Sequence, residues 1–124
     1  IVVSFELCEA VRKLEYLAPQ GVLLVNALQI PPSTVQDGTM EYPGNLQAWL
    51  QENVPHVKIL DTSEALQEVG SKRCLNILML GAMSTYTDVP EANWYDAIRR
   101  LVKPRFLEMN VKAFGMGRDG LDAV

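Results

Sequence analysis

The sequence predicts an α/β fold. Two short, continuously apolar runs flank one amphipathic stretch, and further stretches carry apolar residues at helical spacing. Continuous apolar runs are typical of strands in a parallel sheet that is covered on both faces. A strand, a helix and a second strand with short connections form a βαβ unit, which is almost always right-handed. We therefore expect the first two strands to be parallel neighbours.

Residues 1–5 form the first predicted strand, and a helix follows from about residue 6 to residue 17. The apolar positions of this helix repeat at helical spacing, while Glu9 and Lys13 lie four residues apart on its polar side. Pro19 and Gly21 end the helix, because both residue types break helices. Residues 22–26 then form the second predicted strand.

The middle of the sequence predicts a loop, a helix and a strand. Residues 29–44 are rich in proline and have no regular period, which is typical of long loops that carry function. A helix is expected over about residues 45–53, with Trp49 on its apolar side, before Pro55 ends it. Residues 56–60 alternate loosely and predict a third strand.

The remaining residues predict four helices. Residues 61–64 resemble a capping box, and the short helix after them ends at Gly70. Residues 75–83 are apolar nearly all the way round, so we expect a helix buried on every side, with Ser71 as its N-cap. Residues 88–91 have a capping pattern and begin a helix whose apolar residues recur at helical spacing: Trp94, Ala97, Ile98 and Leu101. A last helix begins at Pro104, and residues 115–124 are expected to fray.

Composition excludes several classes of function. A net charge of −4 and a pI near 4.9 argue against a nucleic-acid-binding surface. We expect a cytoplasmic protein, because the sequence contains neither a signal peptide nor a transmembrane run. Cys8, Cys74 and His56 are the only cysteines and histidine, too few for a four-ligand zinc or Fe–S site. Both cysteines fall in apolar helical patterns and are expected to be small reduced core residues and not a disulfide.

Candidate binding residues follow the predicted strands, because ligands of open α/β sheets gather at the carboxyl ends of the strands. Glu6 could act as an acid or accept a ribose hydroxyl, or it could instead favour the helix start that follows it. Asn26 and Gln29 flank the long loop as candidate ligand contacts, and amides that form turns are the alternative. Asp61 and Thr62 are explained more fully by capping, and His56 has no neighbour that suggests a catalytic triad.

Several segments together resemble a known family. They are residues 3–10, 16–21, 25–26 with 30–32, 69–70 with 73, 76–82, and 102–110 with 112–114. In order and spacing they resemble the beta subunit of indolepyruvate:ferredoxin oxidoreductase, which corresponds to the gamma-type domain of the wider 2-oxoacid:ferredoxin oxidoreductases. Leu7 stands where many relatives have a proline.

This resemblance implies a Rossmann-like, three-layer α/β/α support with a mainly parallel sheet. It implies a non-catalytic subunit of an enzyme that oxidatively decarboxylates arylpyruvates to acyl-CoA and reduces ferredoxin. Thiamine diphosphate and Fe–S clusters would be held by a larger partner subunit, CoA would bind in the whole complex, and this chain would hold no cofactor. Residues 1–124 would be the C-terminal portion of a single gamma-type domain whose Gly-rich N-terminal part precedes Ile1.

Two readings of function remain open at this stage. The first is the subunit that the resemblance implies, and the second is a stand-alone α/β module that binds a small ligand or a nucleotide. For the chain by itself we expect no oxidoreductase activity, no bound metal, and a homodimer or higher oligomer. Trp49 and Tyr42 are the candidate contact residues, because large aromatic side chains are favoured at interface centres. Trp49 could instead fill the core of the domain.

Overall fold

A computed structural model describes residues 1–28, 38 and 43–124. In chain order its elements are β1 (Val2–Ser4), α1 (Leu7–Arg12), a 3-10 turn (Leu14–Tyr16), β2 (Leu23–Asn26), α2 (Leu46–Asn53), β3 (Val57–Leu60), α3 (Ser63–Val69), a 3-10 turn (Lys72–Cys74), α4 (Leu75–Ser84), α5 (Glu91–Leu101), a 3-10 turn (Pro104–Phe106) and α6 (Leu107–Asp119). The predicted α/β class is confirmed. The chain divides into two compact units, residues 1–59 with Val124 and residues 60–123.

The first unit contains the predicted βαβ arrangement. The sheet has the strand order β1-β2-β3, and β1 pairs in parallel with β2, with Val3 opposite Leu24. The predicted parallel pairing is therefore confirmed. The apolar face of α1 packs with the strands and α2 into one core: Leu7, Ala10, Leu23, Val25, Leu50, Val54 and Ile59.

The first helix is shorter than the sequence predicts. It ends at Arg12, and a separate 3-10 turn covers Leu14–Tyr16. The amide of Lys13 donates to the carbonyls of both Glu9 and Ala10, which tightens the last turn from α-helical to 3-10 geometry. The expected continuous helix from residue 6 to residue 17 is therefore wrong in its second half.

In the second unit α4 packs closely against α6, through Gly81 and Gly117. The prediction that α4 is buried on every side is wrong. Leu78 and Met79 are fully buried, but Asn76 is exposed and Leu80 is only half-buried. The reason is that one narrow face of α4 makes the close contact with α6, so the rest of its apolar surface is less completely covered.

Aromatic rings join α5 to α6. The Phe114 ring contacts the Tyr95 ring edge-on, with centroids 5.1 Å apart, and lies 6.1 Å from the Trp94 ring. Ile98 is buried as its spacing indicates, whereas Leu101 is 84% exposed although it falls on the same predicted apolar stripe. Ala97 is exposed as well, so the predicted stripe packs through Trp94 and Ile98, whereas its expected burial at Ala97 and Leu101 is wrong.

The ends of several elements differ from the sequence patterns. Ser71 caps the 3-10 turn Lys72–Cys74 and not α4, whose N-cap is Cys74. Thr62, and not Asp61, lies at the N-cap of α3, so the predicted capping box is wrong, while Gly70 ends that helix in the left-handed region as expected. The expected fraying after residue 115 is also wrong. Helix α6 continues to Asp119, and Asp122 then accepts a hydrogen bond from the amide of Asp61 at 2.9 Å.

Candidate functional site

The carboxyl ends of β1 and β2 lie at one edge of the sheet, because the two strands are parallel. The side-chain amide of Asn26 donates to the Phe5 carbonyl at 3.2 Å, and the Asn26 side chain is almost fully buried. This bond joins the residues that follow the two strands. The structure therefore brings two of the three predicted site positions, Glu6 and Asn26, to the same edge.

Glu6 forms the N-cap of α1. Its carboxylate accepts a hydrogen bond from the Glu9 amide at 3.0 Å, and the Ser4 hydroxyl donates to the Glu6 carbonyl at 2.7 Å. A carboxylate at this position also interacts favourably with the positive end of the helix dipole. Glu6 therefore stabilises the start of α1, which is the alternative to ligand binding that the sequence left open. The same hydrogen bonds fix the turn between β1 and α1.

The other candidates lie elsewhere. Gln29 and Tyr42 are outside the described residues. Hydrogen bonds from the Ser63 side chain and, at 2.8 Å, from the Ser63 backbone amide lower the pKa of the Asp61 carboxyl below its usual 3.8. His56 is exposed at the turn before β3. Trp49 is 42% exposed and does not fill the core, which leaves it available as a contact residue.

The cysteines carry free thiols, as expected. Cys74 is buried at the start of α4, as expected of a core residue, whereas Cys8 is only half-buried in α1, so the expected core position is wrong for Cys8. Burial raises the pKa of the Cys74 thiol, and a hydrogen bond from Ser71 offsets this in part. Within residues 1–28, 38 and 43–124, no group of three or more His, Cys, Asp or Glu side chains is arranged to hold a metal ion. The same ranges contain no helix that is long and apolar enough to cross a membrane.

Sequence reasoning missed an acidic groove in the second unit. Its volume is about 340 Å³, and its least exposed lining residues, which we call its floor, are apolar: Ala65, Met116 and Leu121. Its rim carries five carboxylates: Asp61, Glu64, Glu68, Asp119 and Asp122. We call this site the acidic groove. Its two halves come from the start of α3 and the end of α6, which are about fifty residues apart in the sequence, so no local pattern indicates it.

A second feature that sequence reasoning missed is a basic surface around Leu101. Four cations fall within seven residues that contain no acid: Arg99, Arg100, Lys103 and Arg105. All four are exposed, and Phe106 is also partly exposed beside them. We call these four cations with Leu101 the Leu101 surface. The absence of acidic residues from residues 99–105 could have indicated this surface in the sequence. By itself, however, it does not show that the cations surround an exposed leucine.

Comparison with known proteins gives consistent results. Residues 1–120 match the profile of the family described as pyruvate ferredoxin/flavodoxin oxidoreductase. The chain is 30% identical over 122 residues to the indolepyruvate oxidoreductase subunit IorB of Thermococcus kodakarensis. It is 27% identical over 121 residues to the subunit of the same name from Archaeoglobus fulgidus. Each alignment covers 94% of this chain and 60% of the relative, so the chain spans about 60% of the length of these relatives.

A solved structure is also similar. The gamma subunit of a keto/oxoacid ferredoxin oxidoreductase from Geobacter sulfurreducens superimposes with a TM-score of 0.64 at 25% sequence identity. The superposition covers 94% of this chain and 58% of that subunit.

Proposed function

Because the chain belongs to the pyruvate ferredoxin/flavodoxin oxidoreductase family, we propose that it is part of a non-catalytic subunit of a 2-oxoacid:ferredoxin oxidoreductase. The complex would oxidatively decarboxylate arylpyruvates such as indolepyruvate to acyl-CoA and pass the electrons to ferredoxin. The observation that carries this proposal is the family match over residues 1–120, nearly the whole chain. The relatives named as indolepyruvate oxidoreductase subunits support the arylpyruvate class.

The cofactors of this reaction would lie outside this chain. Thiamine diphosphate would stabilise the carbanion formed on decarboxylation, and Fe–S clusters would carry the electrons, both held by a larger subunit. Clusters need several thiolate ligands, and this chain has two cysteines, one in each compact unit. The role proposed for this chain is to support the catalytic subunit and to complete the complex in the cytoplasm.

The part of this chain proposed to face a ligand is the edge at the ends of β1 and β2. Glu6 and Asn26 hold the backbone there through the bonds to Glu9 and Phe5, and Gln29 follows at the start of the long predicted loop. CoA is the cofactor with which this edge would be in contact inside the complex. In this role Glu6 and Asn26 fix the shape of the edge, and Gln29, which lies outside the described residues, is proposed as a ligand contact from its place in the sequence alone.

The test is reconstitution with the full-length protein. The protein is co-expressed with a thiamine-dependent large subunit of a 2-oxoacid:ferredoxin oxidoreductase from the same organism, purified through a tag on this chain, and assayed with indolepyruvate, CoA and ferredoxin. We expect the two subunits to co-purify, with CoA-dependent ferredoxin reduction that is faster with indolepyruvate than with pyruvate or 2-oxoglutarate. This chain without its partner should show no turnover.

Two outcomes would contradict the proposal. Turnover by this chain alone would show that it is catalytic. Failure to bind the large subunit, combined with tight binding of a nucleotide or small ligand by this chain alone, would favour the stand-alone binding module. In the reconstituted complex, Gln29→Ala should raise KM for CoA and leave KM for indolepyruvate unchanged. An equal rise in both KM values would show that Gln29 has no specific role in CoA binding.

A further inference from the structure

Leu101 is exposed to an extent that the fold itself does not explain. It is 84% exposed, the largest fraction among the large hydrophobic side chains of the described residues. Exposed apolar side chains are normal when scattered singly, but Leu101 lies next to Val102 and close in sequence to Phe106, which is 36% exposed. A leucine gains stability only when another surface covers it.

The charges around Leu101 indicate what would cover it. Arg100 and Lys103 flank it, while Arg99 pairs with Asp96 at 3.2 Å and Arg105 stacks over the Phe106 ring at 4.6 Å. The whole chain carries a net charge of −4, so this cationic surface is opposite in sign to the average surface of the protein. A complementary surface would combine carboxylates with an apolar recess.

The acidic groove has both of these properties. Its carboxylates surround a floor of Ala65, Met116 and Leu121, and its volume of about 340 Å³ is more than enough for one leucine side chain. Of these carboxylates, Glu68 is engaged by Lys112 at 3.1 Å. Glu64 and Asp119 are exposed and lie at the rim. The groove is therefore complementary to an apolar side chain that is flanked by cations.

The two surfaces cannot meet within one chain. Leu101 lies three residues before Pro104, where the 3-10 turn that leads into α6 begins, whereas the groove is formed by the other end of α6. Helix α6 has 13 residues, which corresponds to a length of about 20 Å. The complementary surfaces therefore lie near opposite ends of one helix, as a head-to-tail contact between copies requires.

We propose that the Leu101 surface binds the acidic groove of a second copy of this chain. Leu101 enters the groove and covers its apolar floor, and Arg100 and Lys103 pair with carboxylates at the rim. The contact is heterologous, so it forms either a closed ring or an open chain of copies. It does not depend on the proposed function, and the residues that form it all belong to the second unit.

The first test measures self-association of the full-length protein by sedimentation velocity. Charge pairs at a solvated rim are screened by salt, since the Debye length falls from about 10 Å at 0.1 M to about 3 Å at 1 M. We expect association that weakens about tenfold over this range. A protein that stays monomeric at about 0.1 mM, where contacts with a Kd near 1 mM already show, would overturn the proposal.

The decisive test exchanges the charges of the two surfaces. One variant carries Arg100→Glu and Lys103→Glu, and the other carries Glu64→Lys and Asp119→Lys. All four positions are exposed, so both variants should fold, which circular dichroism checks. Neither should self-associate, but an equimolar mixture should associate, because each reversed surface meets its complement. Unchanged self-association of either variant, or a mixture that stays monomeric, would contradict the proposal.

Two matched controls separate this contact from general effects. The double variant Arg12→Glu and Lys13→Glu makes the same change in net charge at the C-terminal end of α1 and should leave association unchanged. Leu101→Ser should weaken association about tenfold. Val89→Ser, at another exposed apolar position of the same unit, should not weaken it. Equal effects of Leu101→Ser and Val89→Ser would exclude a specific role for Leu101.

Discussion

Gly81 and Gly117 lie against each other where α4 meets α6. A Cβ atom built on Gly81 would lie 3.1 Å from the Gly117 Cα, and one built on Gly117 would lie 3.0 Å from the Ala82 nitrogen. Each would also collide with a carbonyl of the opposite helix, that of Phe114 or Leu78. The two backbones are in direct contact, so the core of the second unit depends on glycine, which has no side chain, at both positions.

Gly81→Ala should therefore destabilise the protein. Alanine is favoured over glycine within a helix by about 1 kcal/mol, but the added methyl group collides with backbone atoms that cannot rotate away. Overpacking of this kind typically costs about 1–3 kcal/mol, so we expect a net loss of about 1–2 kcal/mol in the free energy of unfolding. Urea denaturation followed by circular dichroism measures it.

Gly115→Ala is the matched control on α6. The nearest atom to its added Cβ is the Tyr95 hydroxyl oxygen at 3.2 Å, the far end of a side chain that can move. The helix-propensity gain should then dominate, and the free energy of unfolding should stay equal or rise slightly. Equal losses in the Gly81 and Gly115 variants would show that the close contact between the helices is not the cause.

Asn26→Asp should destabilise the protein although it preserves the shape of the side chain. The substitution removes the amide donor that bonds to the Phe5 carbonyl and places a carboxylate oxygen against that carbonyl in a buried position. Loss of a buried bond with an unpaired group left behind costs about 1–3 kcal/mol. Asn53→Asp is the control, because Asn53 makes the same type of bond, to the Trp49 carbonyl at 2.8 Å, but on the surface. A similar loss in both variants would contradict the prediction.

The sequence was sufficient to predict the βαβ unit and its parallel strands, because both depend on local apolar patterns. The end of α3 at Gly70 could also be predicted from the local sequence, because the φ of 82° at this position favours glycine. The predictions from the sequence were wrong where tertiary contacts determine which residues are buried. Residues 75–83 look suited to burial on all sides, but close packing through Gly81 covers one face of α4 and leaves Asn76 exposed. Residues 115–124 were expected to fray, but α6 continues through Gly115 and Gly117 to Asp119.

The candidate site was predicted in part for the same reason. The positions of Glu6 and Asn26 at one sheet edge follow from parallel strands, so the sequence could indicate them. The acidic groove and the Leu101 surface join residues far apart in the sequence or depend on which side of α5 is covered, so neither could be predicted. Leu101 shows this most clearly, because its spacing matches Ile98 but its exposure is opposite.

Asp61 should contribute to stability in a pH-dependent way. The hydrogen bonds from Ser63 lower its pKa below 3.8 in the folded protein, so the contribution is present above that value and is lost as the pH falls through the lowered pKa. Asp61 is exposed, so solvent screening limits the effect to about 0.5 kcal/mol.

Asp61→Ala should therefore lower the unfolding free energy at pH 7, and the difference from the unsubstituted protein should shrink below pH 3.8. Urea denaturation at a series of pH values measures it. Asp61→Asn, which keeps an oxygen acceptor for the Ser63 amide, is the control and should lose less at pH 7. A difference that stays constant down to pH 2 would show that the charge of Asp61 does not contribute.

Cys74 should react slowly with alkylating agents in the folded protein. Burial excludes the reagent and raises the pKa of the thiol above 9.0, which lowers the fraction of reactive thiolate at pH 8. Cys8 is only half-buried, so we expect it to be modified about tenfold faster or more. Iodoacetamide labelling followed by mass spectrometry of each cysteine peptide measures both rates, and in denaturant they should become equal.

Ser71→Ala tests the cause of the slow reaction at Cys74. The hydrogen bond from Ser71 lowers the pKa of the thiol and partly offsets the effect of burial. Its removal should raise the pKa further and slow the alkylation of Cys74 while the rate at Cys8 stays the same. Faster labelling of Cys74 in this variant would instead indicate that the start of α4 has opened, since Ser71 also accepts the Arg73 amide at the N-cap of the 3-10 turn. Hydrogen exchange of the Arg73 amide separates the two cases, because opening accelerates exchange there and a change in pKa alone does not.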